Sequence, residues 1–219
     1  MKKLLYFSLL CSIMFSLNSC FVEPISGSGR IGSESRVLSN TNFTEIRVEG
    51  SMDVLVKQGD SVKIVAKDFE NLLPYLETRV VGNALVVSYR DNTWVRNTAG
   101  EVTVTMPRLT NVELSGSGNI GTVGSFNFND IGMNISGSGN FSFIGTAKNM
   151  NAKVSGSGDI RAYDLVCDVA NVKISGSGNM QLNIVRQLDA TISGSGDIIY
   201  KGTPSVSSSV SGSGKIRRF

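Results

Sequence analysis

Val112-Glu113-Leu114-Ser115-Gly116-Ser117-Gly118-Asn119-Ile120 is the stretch from which the fold is read. Its central Ser-Gly-Ser-Gly begins at Ser115 and returns at Ser136, Ser155, Ser175, Ser193 and Ser211, at spacings of 21, 19, 20, 18 and 18 residues. The flanks return with it. An apolar residue precedes each copy: Leu114, Ile135, Val154, Ile174, Ile192 and Val210. Two positions earlier stand Val112, Met133, Ala152, Val172, Ala190 and Ser208, and between the two columns lie the polar Glu113, Asn134, Lys153, Lys173, Thr191 and Ser209. Alternation with a period of two is the mark of a strand with one buried face. After each copy comes a polar column, Asn119, Asn140, Asp159, Asn179, Asp197 and Lys215, and then an apolar one, Ile120, Phe141, Ile160, Met180, Ile198 and Ile216.

A repeat of 18–21 residues is too short for a pair of helices, and almost nothing inside it reads as helix. The pattern predicts an all-β fold, a parallel β-helix-like solenoid with one turn per repeat. Equivalent strands then stack about 4.8 Å apart and the apolar columns become continuous internal ladders. The glycines admit two placements. If the alternation runs through the motif, both point inward and let neighbouring backbones approach closely. Alternatively the motif is the corner itself, with Gly supplying φ > 0.

Residues 33–110 depart from the repeat, which is regular over 111–219. Val54-Leu55-Val56 and Val62-Lys63-Ile64-Val65 flank Gln58-Gly59-Asp60 and read as a hairpin. Asp68 to Glu77 reads as one short helix containing Pro74. Arg79 to Tyr89 reads as strand, a Gly82-Asn83 turn and strand, and Glu101 to Met106 alternates up to Pro107. This part is an irregular opening of the solenoid, and it is expected to cap an end whose strand edges would otherwise lie bare.

Outside the repeats, the N-terminus carries the clearest signal. Met1-Lys2-Lys3 precedes an apolar stretch from Leu4 to Leu17. That stretch is too short to span a hydrocarbon core of about 30 Å and suits a signal peptide. It runs into Leu17-Asn18-Ser19-Cys20, which resembles a bacterial lipobox. The resemblance implies that residues 1–19 are a lipoprotein signal peptide, that Cys20 is acylated, and that several acyl chains hold the protein at a membrane. Residues 20–32 read as a lipidated tether with a Ser-Gly-Ser-Gly run of their own at 26–29, and 33–219 as the solenoid domain.

Composition removes several function classes. The chain of 219 residues has no His, so His-based triads and His-ligated zinc are excluded. Its three Cys are far apart and form no CxxC pattern. Hydrophobic residues at 41% can supply a core, which argues against disorder. Without Lys2 and Lys3, 19 basic residues face 18 acidic ones, and no basic face of the kind that binds nucleic acid appears. Cys167 alternates with Leu165 and Val169 and reads as a small buried hydrophobe.

The Ser-Gly-Ser-Gly-(Asn/Asp)-Ile repeats, the degenerate copy Glu49-Gly50-Ser51-Met52-Asp53-Val54, and Met106-Pro107-Arg108-Leu109 leading into Val112-Glu113-Leu114 resemble the putative auto-transporter adhesin, head GIN domain family of Bacteroidota lipoproteins. The resemblance spans roughly residues 31–217. It implies a right-handed solenoid and an envelope location, and it brings no catalytic residue.

Candidate sites are few. Asp159 and Asp197 share one column two turns apart, about 9.6 Å by strand spacing, near the upper limit for an inverting glycosidase pair. Asn179 stands between them, and Asn and Asp in such a column more readily bond neighbouring backbone. A calcium site would need carboxylates in more turns than these two. Phe126, Phe128, Phe141 and Phe143 fall in the first regular turns as core. Tyr75 and Trp94, the latter in the loop from Arg90 to Gly100, are the aromatic candidates for an exposed contact. The reading is a non-enzymatic envelope lipoprotein: an adhesin-like or scaffolding module for a protein or glycan, with the membrane as a second partner through Cys20. It uses no cofactor, metal or nucleic acid, and the sequence points to no oligomeric state. The alternatives are a polysaccharide-active β-helix enzyme and a structural protein assembling end to end. The anchor is expected in the outer membrane. Phe21-Val22-Glu23-Pro24 after Cys20 holds one acidic residue, a poor match to the acidic surface-export signal of some Bacteroidota lipoproteins, so periplasmic and surface-facing orientations both stay open.

Overall fold

The structure is a computed structural model that describes residues 23–219. The proposed signal peptide and Cys20 lie outside the described residues.

The apolar columns of the repeat become stacked walls of one coil. In the first wall the strands Glu45–Gly50, Asn111–Gly116 and Asp130–Gly137 lie parallel and in register, followed by the C-terminal halves of Gly145–Gly156, Ile160–Gly176 and Met180–Gly194, and then Ser205–Gly212. Val48, Leu114, Ile135, Val154, Ile174, Ile192 and Val210 form one ladder. All but Val210 are buried. The second wall stacks Val54, Ile120, Phe141, Ile160, Met180, Ile198 and Ile216. A third face pairs Phe126–Asn127 with Gly145 and Thr146. Phe126, Phe128, Phe141 and Phe143 are all buried, with Phe126 stacked on Phe128 at a centroid distance of 4.6 Å. The fold is therefore the all-β solenoid read from the repeat.

Both placements of the motif glycines occur, one at each Gly. Gly137, the first Gly of its copy, ends its strand at φ +131, where an L side chain is strained. The second, Gly139, is buried. A Cβ there would overlap the carbonyl oxygen of Gly118 and the side chain of Leu114 in the turn beneath. The Gly116 carbonyl accepts from both the Ser138 and Gly139 N–H groups, at 3.0 and 3.1 Å. The motif is thus a corner turned by its first Gly and packed tight by its second, while the serines face outward.

The N-terminal part corrects the sequence reading in three places. Asp53–Gln58 and Lys63–Phe69 are both strands, but they are not a hairpin. Glu101–Met106 inserts between them, parallel to the first and antiparallel to the second. Alternation identifies a strand but not its partner, and this insertion buries Val102 and Val104 completely. The expected helix over 68–77 is reduced to the 3-10 turn Leu73–Tyr75, with Pro74 in its first turn. Asp68 and Phe69 instead complete the preceding strand, because tertiary hydrogen bonds hold the Asp68 carboxylate. The segment 25–32, read as tether, is fastened to the cap. Ile25–Ser26 pairs with Val95–Arg96, Asn71 bonds the backbone of Ser26 and Ser28, and Ile31–Arg36 lies antiparallel to Lys63–Phe69. The Leu76–Val81 and Ala84–Tyr89 hairpin forms as read, and its second strand continues the first wall beside Glu45–Gly50. These strands cover the coil's N-terminal end.

Candidate functional site

Two surfaces hold all the sequence candidates but Tyr75. The first is the Asn/Asp column, which runs up the outside of the corners. Asn119 donates from its backbone and its Nδ2 to Asp53 Oδ1, at 2.9 and 2.8 Å. Asn140 Nδ2 donates to Asn119 Oδ1 at 2.9 Å, and the Asp159 backbone N–H to Asn140 Oδ1 at 3.2 Å. Asp159 Oδ1 accepts from the backbone N–H and the Nδ2 of Asn179, both at 3.0 Å. Asn179 Oδ1 accepts from Asp197 N–H at 3.0 Å, and Asp197 Oδ1 from Lys215 N–H at 2.8 Å. Each rung thus offers Oδ1 to the next turn. An Asp or an Asn can do this, which is why the two alternate freely in the sequence. Asp159, Asn179 and Asp197 also line a small hollow of about 140 Å³ with Arg161 and Gln181. Arg161 lies 3.3 Å from Asp159 Oδ2. The primary work of the column is structural: it satisfies corner amides that the motif leaves without a strand partner.

The second surface lies on the N-terminal cap, where the degenerate copy Glu49-Gly50-Ser51 meets the loop 90–100. A groove of about 360 Å³ is lined there by Glu49, Ser51, Ser88, Asp91, Thr93 and Trp94, among others. Glu49 occupies the outward slot that Ser115 fills in the next turn. Trp94 is 63% exposed. Its loop is nevertheless firmly held. The Ile25 N–H donates to Trp94 O at 2.8 Å, and Thr93 N–H to Arg90 O at 3.1 Å. Asn92 and Asn97, on either side, adopt φ of 60 and 50, conformations that Asn tolerates better than most residues. Tyr75 is not in this groove. It sits under the Arg90 guanidinium, 5.7 Å from the ring centroid, and Arg90 also bonds Glu77 and Pro74 O. The structure therefore separates the sequence candidates into three places. Trp94 belongs to the cap groove, Tyr75 to the Arg90 contact, and the Asp159–Asp197 rungs to the ladder, which reaches Asp159 three turns or about 14 Å beyond Asp53.

Beneath the groove lies a group that the sequence reading passed over. Asp68 is fully buried. It accepts from the Tyr89 hydroxyl at 2.5 Å, from Ala99 N–H at 2.9 Å and from Phe69 N–H at 2.8 Å. Burial first, and then the bond to Asp68 and its charge, push the Tyr89 pKa far above the ordinary tyrosine value. The network ties three segments together and fixes the root of the Trp94 loop. The signal was present: in Ile64, Ala66, Asp68 the inward slots of one strand end on a carboxylate.

Cys167 is buried in the core, as read, and burial raises its pKa to about 11, which leaves the thiol inert. Among the described residues no group of acidic or Cys side chains is placed to hold a metal ion, and no helix is long and apolar enough to cross a membrane.

The family described as putative auto-transporter adhesin, head GIN domain, matches residues 42–204 of the chain. No curated protein matches. Among solved structures, a putative adhesin from Bacteroides fragilis superposes with a TM-score of 0.67 at 21% identity, covering 89% of this chain and 100% of that one. A putative lipid binding protein from Parabacteroides distasonis gives 0.54 at 26%, covering 90% and 100%. A putative adhesin from Parabacteroides merdae gives 0.51 at 23%, also covering 90% and 100%. The first and third likenesses are of fold.

Proposed function

We propose that the chain, which belongs to the putative auto-transporter adhesin, head GIN domain family, works as a non-enzymatic binding module of the cell envelope. In this reading it is anchored through Cys20 and presents its N-terminal cap to a protein or glycan partner. The observation that carries the reading is the division of labour along the coil. The Asn/Asp column of the repeat bonds the side chains and backbone amides of the next turn, whereas the cap holds out an exposed indole on a fixed loop. Exposing a large aromatic gains nothing for folding, and Trp is enriched where binding energy is concentrated. The enzyme alternative is disfavoured by the same division, because the Oδ1 atoms of Asp159 and Asp197 are occupied by the amides of the next turn.

Protease shaving of intact cells tests the reading, with Cys20→Ala as the control. Digestion on intact cells, lost when the variant no longer stays on the envelope, is the expected result. Protection until lysis would refute a surface adhesin and direct the search to periplasmic partners.

One observation favours a second reading, assembly end to end. The strand Ser205–Gly212 is exposed along its whole length, and Val206 and Val210 are 41% and 44% exposed where their stacked equivalents are buried. Sedimentation over a range of concentrations decides this, and a strict monomer rejects it.

A further inference from the structure

We infer that the cap groove around Trp94 is a carbohydrate-binding site for neutral sugar residues, an assignment that rests on the binding-module reading and deepens it. The chemistry of the lining points this way. The indole of Trp94 is open to solvent along one wall, and a flat aromatic face matches the C–H face of a pyranose ring. Around it stand the hydroxyls of Ser51 and Thr93 and the carboxylates of Glu49 and Asp91. Hydroxyls donate and accept, and carboxylates accept, which suits a ligand whose periphery is a ring of hydroxyl groups. No lining residue is Lys or Arg. Arg79, which donates to the lining Ser88 Oγ at 3.0 Å, is itself paired with Glu77, so the carboxylates of Glu49 and Asp91 disfavour sulfated, phosphorylated or carboxylated ligands and leave sugars without negative charge as the class the groove fits best. A volume of about 360 Å³ falls at the small end of ligand sites and suits a short stretch of saccharide.

Preorganisation also favours binding here. The loop is fixed by strand pairing at Val95–Arg96, by the Asp68 bond to Ala99 N–H, and by the bond from Asn97 Nδ2 to Gly27 O at 2.9 Å. A site that is already ordered loses little entropy on binding. Glu49 adds to the case. The outward slot it fills is Ser in every later turn, at Ser115, Ser136, Ser155, Ser175, Ser193 and Ser211. The carboxylate thus appears only where the column borders the groove.

Trp94 is the one Trp of the chain, so intrinsic tryptophan fluorescence reports this site alone. The full-length chain in detergent is titrated with neutral hexose and N-acetylhexosamine oligosaccharides, with sialylated and sulfated counterparts, and with a Lys/Arg-rich peptide. The expected result is a saturable change in emission with one or more neutral oligosaccharides that persists at high salt, and binding at least about tenfold weaker for the anionic forms. Calorimetry on Trp94→Ala then shows affinity reduced by about tenfold or more, with thermal unfolding unchanged because the side chain is exposed. The inference is overturned if no neutral oligosaccharide alters the emission. It is overturned equally if Trp94→Ala binds them as before, or if only the basic peptide binds and salt abolishes it. Should the chain bind its target cells and Trp94→Ala bind them equally well, the groove assignment fails while the binding-module reading stands. A chain that binds neither cells nor sugars refutes both.

Discussion

Replacing Gly158 by Ala tests how closely the turns must stack. Gly158 is the second glycine of its motif copy, and a Cβ there would overlap the Gly139 carbonyl oxygen of the turn beneath and lie 2.8 Å from Ile135 Cγ2. The obstacle is backbone, so it cannot be relieved by a rotamer change. The two turns would have to part by roughly 1 Å at this corner in an interior packed to crystal density. That separation breaks the bonds from Ser157 N–H and Gly158 N–H to Gly137 O, at 2.9 and 3.2 Å, and from Asp159 N–H to Asn140 Oδ1 at 3.2 Å. At about 1 kcal/mol each, their loss amounts to about 3 kcal/mol before any steric strain is added. This is a large share of a domain stability of roughly 5–15 kcal/mol. Gly29→Ala is the control. Gly29 sits at φ +85, and an added methyl would meet nothing within 4 Å, so only backbone strain of about 1–2 kcal/mol applies. Urea denaturation monitored by circular dichroism measures both. Gly158→Ala is expected to lose at least about 3 kcal/mol and Gly29→Ala distinctly less. A Gly158→Ala protein within about 1 kcal/mol of the parent would refute the close-stacked corner.

The ladder and the cap give further outcomes. Asp159→Asn keeps an Oδ1 acceptor and loses only the surface contact to Arg161, so its stability stays within about 0.5 kcal/mol of the parent. Asn179→Ala removes both an acceptor and a donor of the column and costs about 1–2 kcal/mol. Differential scanning calorimetry of the pair checks this. Asp68→Ala strands the donors of Tyr89, Ala99 and Phe69. It destabilises by about 3 kcal/mol or more and raises hydrogen exchange across residues 90–100, read by mass spectrometry. Because the folded-state pKa of Tyr89 is raised by burial and by Asp68, its contribution to stability is complete below the ordinary tyrosine value of about 10 and is lost as pH rises beyond it. Stability at alkaline pH therefore falls off less steeply in Tyr89→Phe than in the parent, as urea denaturation across that pH range would measure.

What could be read in the sequence follows from the range over which each feature is determined. The walls were legible because period-two alternation and a repeat of about 20 residues state both the inward face and the neighbour: Val154 must lie on Ile135 and under Ile174. The Asn/Asp column was legible as a partner of neighbouring backbone, but the repeat left open whether the motif is wall or corner, because the φ of its first Gly is set by the turn and not by the alternation. In the cap the partner is not the next copy of anything. Glu101–Met106 reaches back 48 residues to one strand and 34–42 to the other, and separates two strands that local pattern joins. Pro74 and the buried Asp68 end a helix that the composition of 68–77 allows. The Ser-Gly run at 26–29 has linker composition, yet Asn71 and Asn97 hold its backbone, and nothing local announces that. Of the candidate site, the exposed Trp94 was visible as a lone aromatic in a loop. Its groove was not, because Glu49 and Ser51 meet it only through the pairing of Ala84–Tyr89 with Glu45–Gly50.

Whether the coil is scaffold and the cap is the contact surface is decided by comparing two variants in one binding assay on target cells or their isolated envelope polysaccharide. One is Trp94→Ala; the other is the double variant Asp159→Asn with Asp197→Asn, which keeps the ladder's acceptors while removing the charge of these two rungs. Trp94→Ala is expected to lose binding and the double variant to retain it. The reverse pattern would move the functional surface from the cap to the ladder and contradict the division of labour along the coil.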